Sequence, residues 1–170
     1  MSGAALRVLG IDTSLRSTGF GVVEAQGNRL ECIECGFLKT KPKWLHSECL
    51  RVIAHGLADV IAATKPDAVA IEGAFFFKNA KTAMVLGEAR GVAIVTCSLE
   101  SLPIYEYAPR RVKQAVVGFG AAEKRQVASM VMRLLGLKEE PQSDAADALA
   151  LAICHIHSRK GIPGLECPEI

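Results

Sequence analysis

Apolar and polar positions alternate between two periods along this chain, and the switches between them predict the elements. ALRVLGID, residues 5 to 12, is an apolar run ending in an acid. TGFGVVEA (18 to 25), a turn at QGN (26 to 28) and RLECIECGFLKT (29 to 40) follow, reading as strand, hairpin turn and strand. From Trp44 to Thr64 the period changes: Leu45, Cys49, Val52, Ile53, Leu57, Val60 and Ile61 recur at spacings of three and four, an amphipathic helix that Pro66 stops. DAVAIEG (67 to 73) is apolar on successive positions, the pattern of a parallel strand covered on both faces.

NAKTAMVLGEARGVAIVTCS (79 to 98) reads as a helix with Asn79 as N-cap. PIYEYA (103 to 108) is the last strand, and Pro109 suits the first turn of a short helix ending near Gly118. Two more helices are predicted near 122 to 135 and 143 to 158, the second opening on Asp144 and Asp147. The order predicts an α/β fold with a five-stranded mixed sheet, its first three strands antiparallel, flanked by helices. One domain, residues 1 to 158, takes up this pattern, and residues 159 to 170, rich in Gly and Pro without periodicity, are expected to form a flexible tail.

Composition adds a few limits. Half of the 170 residues are apolar and 22% are charged, enough for a buried core. Runs such as ALALAI and GVAIV are shorter than the roughly 20 residues of a membrane span, and no basic-then-apolar leader precedes Leu6. A cytoplasmic protein without a membrane partner is expected. CIEC (32 to 35) and CHIH (154 to 157) have the look of metal-ligand spacings. RLECIECGFL reads as a strand, however, in which Cys32 and Cys35 would point to opposite faces, so buried free thiols are expected rather than zinc. The net charge of +2 excludes little, yet Arg110, Arg111, Lys113, Lys124 and Arg125 fall within sixteen positions holding one acid, Glu123. Such a cluster is either a solvated helical surface or a footprint for nucleic acid.

The chemistry lies in the acids. Asp12 ends the first strand and Glu72 ends the fourth, and the carboxyl ends of strands are where sites assemble in open α/β sheets. Asp144 and Asp147, three apart on a helix, share a face. Taken singly, each acid has an ordinary explanation in a turn, a strand exit or a helix start. Four together would repel one another and raise their pKa values unless a cation neutralised them. Carboxylate oxygens without His or Cys point to Mg²⁺, with Mn²⁺ able to substitute. Two such ions could activate a water and stabilise the leaving oxygen of a phosphodiester. Phe75, Phe76 and Phe77 after the strand end, with Lys78 and Lys81 beside them, suit contact with DNA bases and backbone. His155 and His157 lie about three turns from Asp144 and are expected to be structural.

Through GIDTSLRSTGFGVV, AIEGAFFFKNAKTAMVLGEARGVAIV, YEYAPRRVKQAVVGFGAAEKRQV and PQSDAADALALAICH, the chain resembles the RuvC family of Holliday junction endonucleases, which have the ribonuclease H-like fold. The resemblance runs from Leu6 to about His157. It implies that Asp12, Glu72, Asp144 and Asp147 are the metal-binding and catalytic acids, and that Lys113 and Lys124 lie beside the scissile phosphate. It also implies that Phe75 stacks on a base at the crossover, and that Phe76 or Phe77 is the alternative candidate. Family members act as homodimers that nick two strands of four-way junction DNA symmetrically and work with a branch-migration complex. This chain departs from the family in having Asp12, Thr13 and Ser14 where Asp-Pro-Gly is common. Two further readings remain at this stage: a domain that holds branched DNA without cutting it, and one lobe of an actin-like nucleotide-binding protein.

Overall fold

The computed structural model describes residues 4–73, 79–159 and 169–170. Its strands are β1 (Leu6–Asp12), β2 (Ser17–Gln26), β3 (Arg29–Lys39), β4 (Ala68–Glu72) and β5 (Ile104–Tyr107). Its helices are α1 (His46–Thr64), α2 (Ala80–Leu99), α3 (Pro109–Val117), α4 (Lys124–Leu135) and α5 (Ser143–Arg159). The sheet order is β3-β2-β1-β4-β5, with β1 antiparallel to β2, β2 antiparallel to β3, and β4 and β5 parallel to β1 and to each other. This is the five-stranded mixed sheet that the apolar patterning predicts.

Strand parity divides the core in two. Leu9, Ile11, Val69 and Ile71 face α1 and α2, where they pack with Ile53, Leu57, Ala89 and Ala93. Val8, Val23 and Ala70 face the other way, onto Leu149 and Ile153 of α5 and onto Val112 of α3 and Val131 of α4. Burying each of these Leu and Ile side chains stabilises the fold by roughly 1.5–3 kcal/mol. β1 and β4 are buried on both faces, which is why their sequences lack polar alternation.

α5 lies unusually close to the sheet because glycines leave room for it. A β-carbon at Gly10 would lie 1.9 Å from the Ala148 carbonyl oxygen, and one at Gly19 would lie 2.0 Å from that of Asp144. Those separations are impossible for any larger residue without moving the helix. α5 therefore presses its backbone, rather than its side chains, onto β1 and β2.

Three local features differ from the periodic expectation. α4 begins at Lys124, later than the pattern suggests, because Gln126 Oε1 accepts the Glu123 N–H at 2.8 Å and closes the first turn there. The β2/β3 register shifts between Val22 and Val23, leaving Ile33 as an extra residue in β3. Cys35 lies opposite Gly21 and Cys32 opposite Val23, so the bulge brings the two thiols to the same face. The opposite-face expectation for Cys32 and Cys35 is thus corrected: it assumed an unbroken strand. Finally, Glu169 bridges to Tyr105 and the Ile170 N–H donates to the Ile104 carbonyl at 3.0 Å, so this end of the chain pairs with β5.

Among the described residues, α2 alone has the length and mean hydropathy, 1.3, of a membrane span. No single apolar run in the sequence signals this, because the helix mixes small and apolar residues. Its inner side packs on the sheet and α1 through Ala89, Ala93 and Cys97, and its Arg90 is ion-paired with Glu106 of β5.

Candidate active site

The site assembles from strand ends and one helix start. β1 and β4 run parallel with Ile11 beside Ile71, so the residues that follow, Asp12 and Glu72, leave the sheet side by side. Asp12 also pairs with Gly19 of β2, and the Asp144 backbone rests on that glycine. One turn further along α5, Asp147 reaches the same cleft. Acids separated by more than a hundred residues are therefore neighbours because two strands are adjacent and one glycine admits a helix.

The cleft has a volume of about 340 Å³. Asp12, Glu72, Asp147, Lys113 and Lys124 line it, over apolar walls from Val112, Val127, Ala150 and Leu151. Lys124 Nζ sits 2.6 Å from Asp147 Oδ2. The Ser17 hydroxyl donates to Asp144 Oδ2, fixing the orientation of that carboxylate.

Electrostatics record the crowding. Burial, followed by the charges of Asp147, Glu72 and Asp144, pushes Asp12 up to about 7 against the opposing pull of Lys124. Glu72 is also raised, by burial and then by Asp147. Lys124 is raised by its hydrogen bond to Asp147 and held there by the surrounding negative charge. Desolvated, mutually repelling carboxylates of this kind are stabilised by cations. Four carboxylates without sulfur or nitrogen donors fit a hard divalent ion such as Mg²⁺ or Mn²⁺. Among the described residues, no three acidic, His or Cys side chains are gathered tightly enough to enclose one ion. Asp12, Glu72 and Asp147 thus share a cleft, and Asp144 couples to Asp12 through its charge, without closing a cage.

The loop after Asp12 is held by hydroxyls. Thr18 Oγ1 donates to the Ser14 carbonyl at 2.5 Å, and Thr40 Oγ1 donates to the Leu15 carbonyl at 2.8 Å. None of residues 13 to 16 has a positive φ. Thr13 and Ser14 therefore need neither a proline nor a left-handed glycine to complete the turn.

The basic residues separate into groups. Lys113 and Lys124 line the cleft, and Arg125 lies with Lys124 along the adjoining hollow between α4 and the start of α5. Arg110 is exposed on the first turn of α3, and Lys81 is exposed on the first turn of α2. Arg111 instead donates to Ser158 Oγ at 3.2 Å, about 21 Å along α5 from Asp144 at 1.5 Å per residue, and so is drawn away from the acids. Phe75, Phe76, Phe77 and Lys78 lie outside the described residues.

His155 and His157 serve the structure. His155 Nδ1 is paired with the Tyr107 hydroxyl at 2.8 Å, and burial, then Arg159, lowers it to about 4. His157 Nδ1 meets the Ala115 carbonyl at 2.9 Å.

Three supporting residues escape a sequence reading. Ser17 orients Asp144, Arg90 donates to the Glu72 carbonyl at 3.4 Å, and Glu106 holds the Arg90 guanidinium. Only Glu106 leaves a signal, an acid near the carboxyl end of a third parallel strand.

A family model described as crossover junction endodeoxyribonuclease RuvC matches residues 8–155. The crossover junction endodeoxyribonuclease RuvC of Photorhabdus laumondii is 49% identical over 163 residues, covering 96% of this chain and 94% of that one. The Thermus thermophilus RuvC in complex with Holliday junction substrate superposes with a TM-score of 0.89 at 34% identity, covering 97% of this chain and 99% of that one. The yeast mitochondrial Holliday junction resolvase, at 10% identity and a TM-score of 0.63 over 89% of this chain and 79% of that one, shares the fold alone. With β2 to β5, most of β1, and Asp12, Glu72, Asp144 and Asp147 inside the matched span, the chain belongs to the RuvC family of crossover junction endodeoxyribonucleases and has its ribonuclease H-like fold.

Proposed function

We propose that this protein resolves four-way DNA junctions in recombination and repair, nicking two strands symmetrically by hydrolysis of phosphodiester bonds. One observation carries the reading: Asp12 and Glu72 from neighbouring strand ends meet Asp147 and Lys124 in one cleft, with Asp144 seated against Gly19. The printed names of the relatives, and the junction bound by the Thermus thermophilus protein, support the choice of substrate.

Asp12, Glu72, Asp144 and Asp147 would hold Mg²⁺, with Mn²⁺ as a substitute and two ions per site. Bound there, the ions supply water activation and stabilisation of the leaving oxygen. Lys113 and Lys124 place positive charge at the mouth of the same cleft and attract the backbone phosphate. Val112 and Leu151 form an apolar wall beside those charges. Arg110, Arg125 and Lys81 extend the basic surface along the strands, and Phe75 with Lys78 follows Glu72 in the chain, suited to a base near the crossover.

Paired nicks need paired sites, and the outward face of α2 supports a homodimer. Met84 and Val95 are exposed on that face, and a β-carbon at Gly87 or Gly91 would meet nothing within 4 Å. A small, apolar face that no described residue covers suits a second copy of the same helix. Association with a branch-migration complex follows from the family resemblance.

The test incubates the protein with a synthetic four-way junction, a linear duplex and an RNA/DNA hybrid, in Mg²⁺ and then in EDTA. Paired, metal-dependent nicks confined to the junction are expected. Binding without cutting in Mg²⁺ and in Mn²⁺ would reassign the chain as a junction-holding protein. Light scattering of wild type and Gly91→Arg tests the dimer, which the substitution should dissociate.

A further inference from the structure

Cys32 and Cys35 stand apart from the other described cysteines. Cys49, Cys97 and Cys154 are buried in the two cores, whereas Cys32 and Cys35 are half-buried on β3, the outermost strand of the sheet. The extra residue Ile33 turns both side chains to the face that carries α5, opposite Val23 and Gly21. There each thiol is the first influence on the ionisation of the other. Two cysteines that would point apart in a regular strand are thus made neighbours by a single inserted residue.

From this geometry we propose that Cys32 and Cys35 are a redox-active dithiol that closes reversibly to a disulfide across the bulge. A soft-metal site is the competing use of two thiols. It would lack ligands, since no cluster of three His, Cys, Asp or Glu side chains occurs among the described residues and zinc takes four donors.

The two sulfurs differ in readiness. The hydrogen bond from Cys32 stabilises the Cys35 thiolate and lowers Cys35 to about 7, while Cys32 is raised. Burial and Glu34 oppose the lowering of Cys35 without cancelling it. Cys35 is therefore the attacking group near neutral pH.

The oxidant is a small disulfide. The Cys35 thiolate attacks one of its sulfurs, the S–S bond breaks, and one thiolate leaves, giving a mixed disulfide at Cys35. Cys32 then loses its proton and attacks Cys35 Sγ, expelling the second thiol. Two electrons pass from the protein to the small disulfide, and the two protons appear on the released thiols. A dithiol reverses both steps.

The experiment exposes the folded full-length chain to oxidised glutathione at neutral pH, blocks free thiols with iodoacetamide, and digests with trypsin. Cleavage after Arg29 and Lys39 releases LECIECGFLK, which contains both cysteines and no other. That fragment is expected to resist alkylation, to weigh less by two hydrogen atoms, and to recover both thiols after dithiothreitol. Cys32→Ser should trap glutathione on Cys35. Cys35→Ser should react about fivefold more slowly: an ordinary thiol near 9 has roughly fiftyfold less thiolate at pH 7, offset about tenfold by its greater nucleophilicity. Full alkylation of both thiols after oxidation, or glutathione on each cysteine without internal closure, would overturn the proposal. Equal rates for the two variants would overturn the assignment of Cys35 as the attacking thiol.

Discussion

Asp144 rests its backbone on Gly19, so closely that a β-carbon at position 19 would lie 2.0 Å from the Asp144 carbonyl oxygen and 3.0 Å from the Asp144 β-carbon. Gly19 also pairs with Asp12 across the strands. A single glycine thus sets the distance between the strand acids and the helix acids. Gly19→Ala must push the first turn of α5 outward. Overpacking of this kind costs about 1–3 kcal/mol, so a lower melting temperature is expected. Cleavage should fall further than that loss of folded protein explains, because Asp144 moves from Asp12 while the basic surface is untouched. Thermal melting and junction cleavage, measured together, check this; wild-type cleavage with a lowered melting temperature would show that the spacing is not critical.

Ser17 acts on the same carboxylate from below. Its hydroxyl donates to Asp144 Oδ2 and fixes the orientation of that carboxylate. Ser17→Ala removes that support without altering charge. Losing an outer partner of a metal ligand typically weakens metal affinity 10–100-fold. The expected outcome is a Mg²⁺ activation curve displaced to higher concentration by about that factor, with junction affinity in EDTA unchanged. An unshifted curve would mean that Asp144 is held adequately by the helix alone.

Asp12 and Glu72 are legible in the sequence because the runs before them, VLGI and AVAI, are apolar at successive positions and so mark the ends of buried strands. Asp144 and Asp147 are legible because two like charges open an otherwise apolar helix. Ser17 and Arg90 are not, since their partners are 127 and 18 residues away and only the fold brings them together. The Ile33 bulge is equally hidden: one inserted residue reverses strand parity without disturbing the apolar count. The same limit applies to the acids themselves. Residue types predict a shared edge, whereas the separations that leave the four carboxylates short of a three-ligand cage depend on α5 packing and on the Lys124–Asp147 pair.

Stability should depend on pH through Asp12, with a definite sign. In the unfolded chain this acid titrates near 3.8, and in the folded protein burial and its acidic neighbours raise it to about 7. Between those values the folded state keeps a proton that the unfolded state has lost. The metal-free protein is therefore favoured below about pH 4 and loses that contribution as pH rises towards 7, by at most on the order of 4 kcal/mol. His155 opposes it: lowered from 6.5 to about 4, it removes stability as pH falls through that window. Melting curves of wild type and Asp12→Asn in EDTA separate the two. The stability advantage of Asp12→Asn should grow from pH 4 to 7 and then level off, while its own acid-side loss, due to His155, remains. Parallel curves at all pH values would contradict the raised Asp12.

Asp147 carries opposite burdens in binding and in cutting, and Asp147→Asn should separate them. Its carboxylate faces the cleft, where it is a metal-ligand candidate, yet it also neutralises Lys124 at 2.6 Å. Replacing it with Asn removes a negative charge near the DNA backbone and releases the Lys124 ammonium to a phosphate. Junction affinity in EDTA should therefore be kept or improved, with a steeper salt dependence because one more cation meets the backbone. Cutting in Mg²⁺ should fall by more than about 100-fold, beyond the range for disturbing only a ligand's support. Lys124→Gln offers the converse: weaker binding and a shallower salt slope, with all four acids intact. If Asp147→Asn lost affinity and cutting in equal proportion, the carboxylate would be maintaining the fold of the cleft rather than holding an ion.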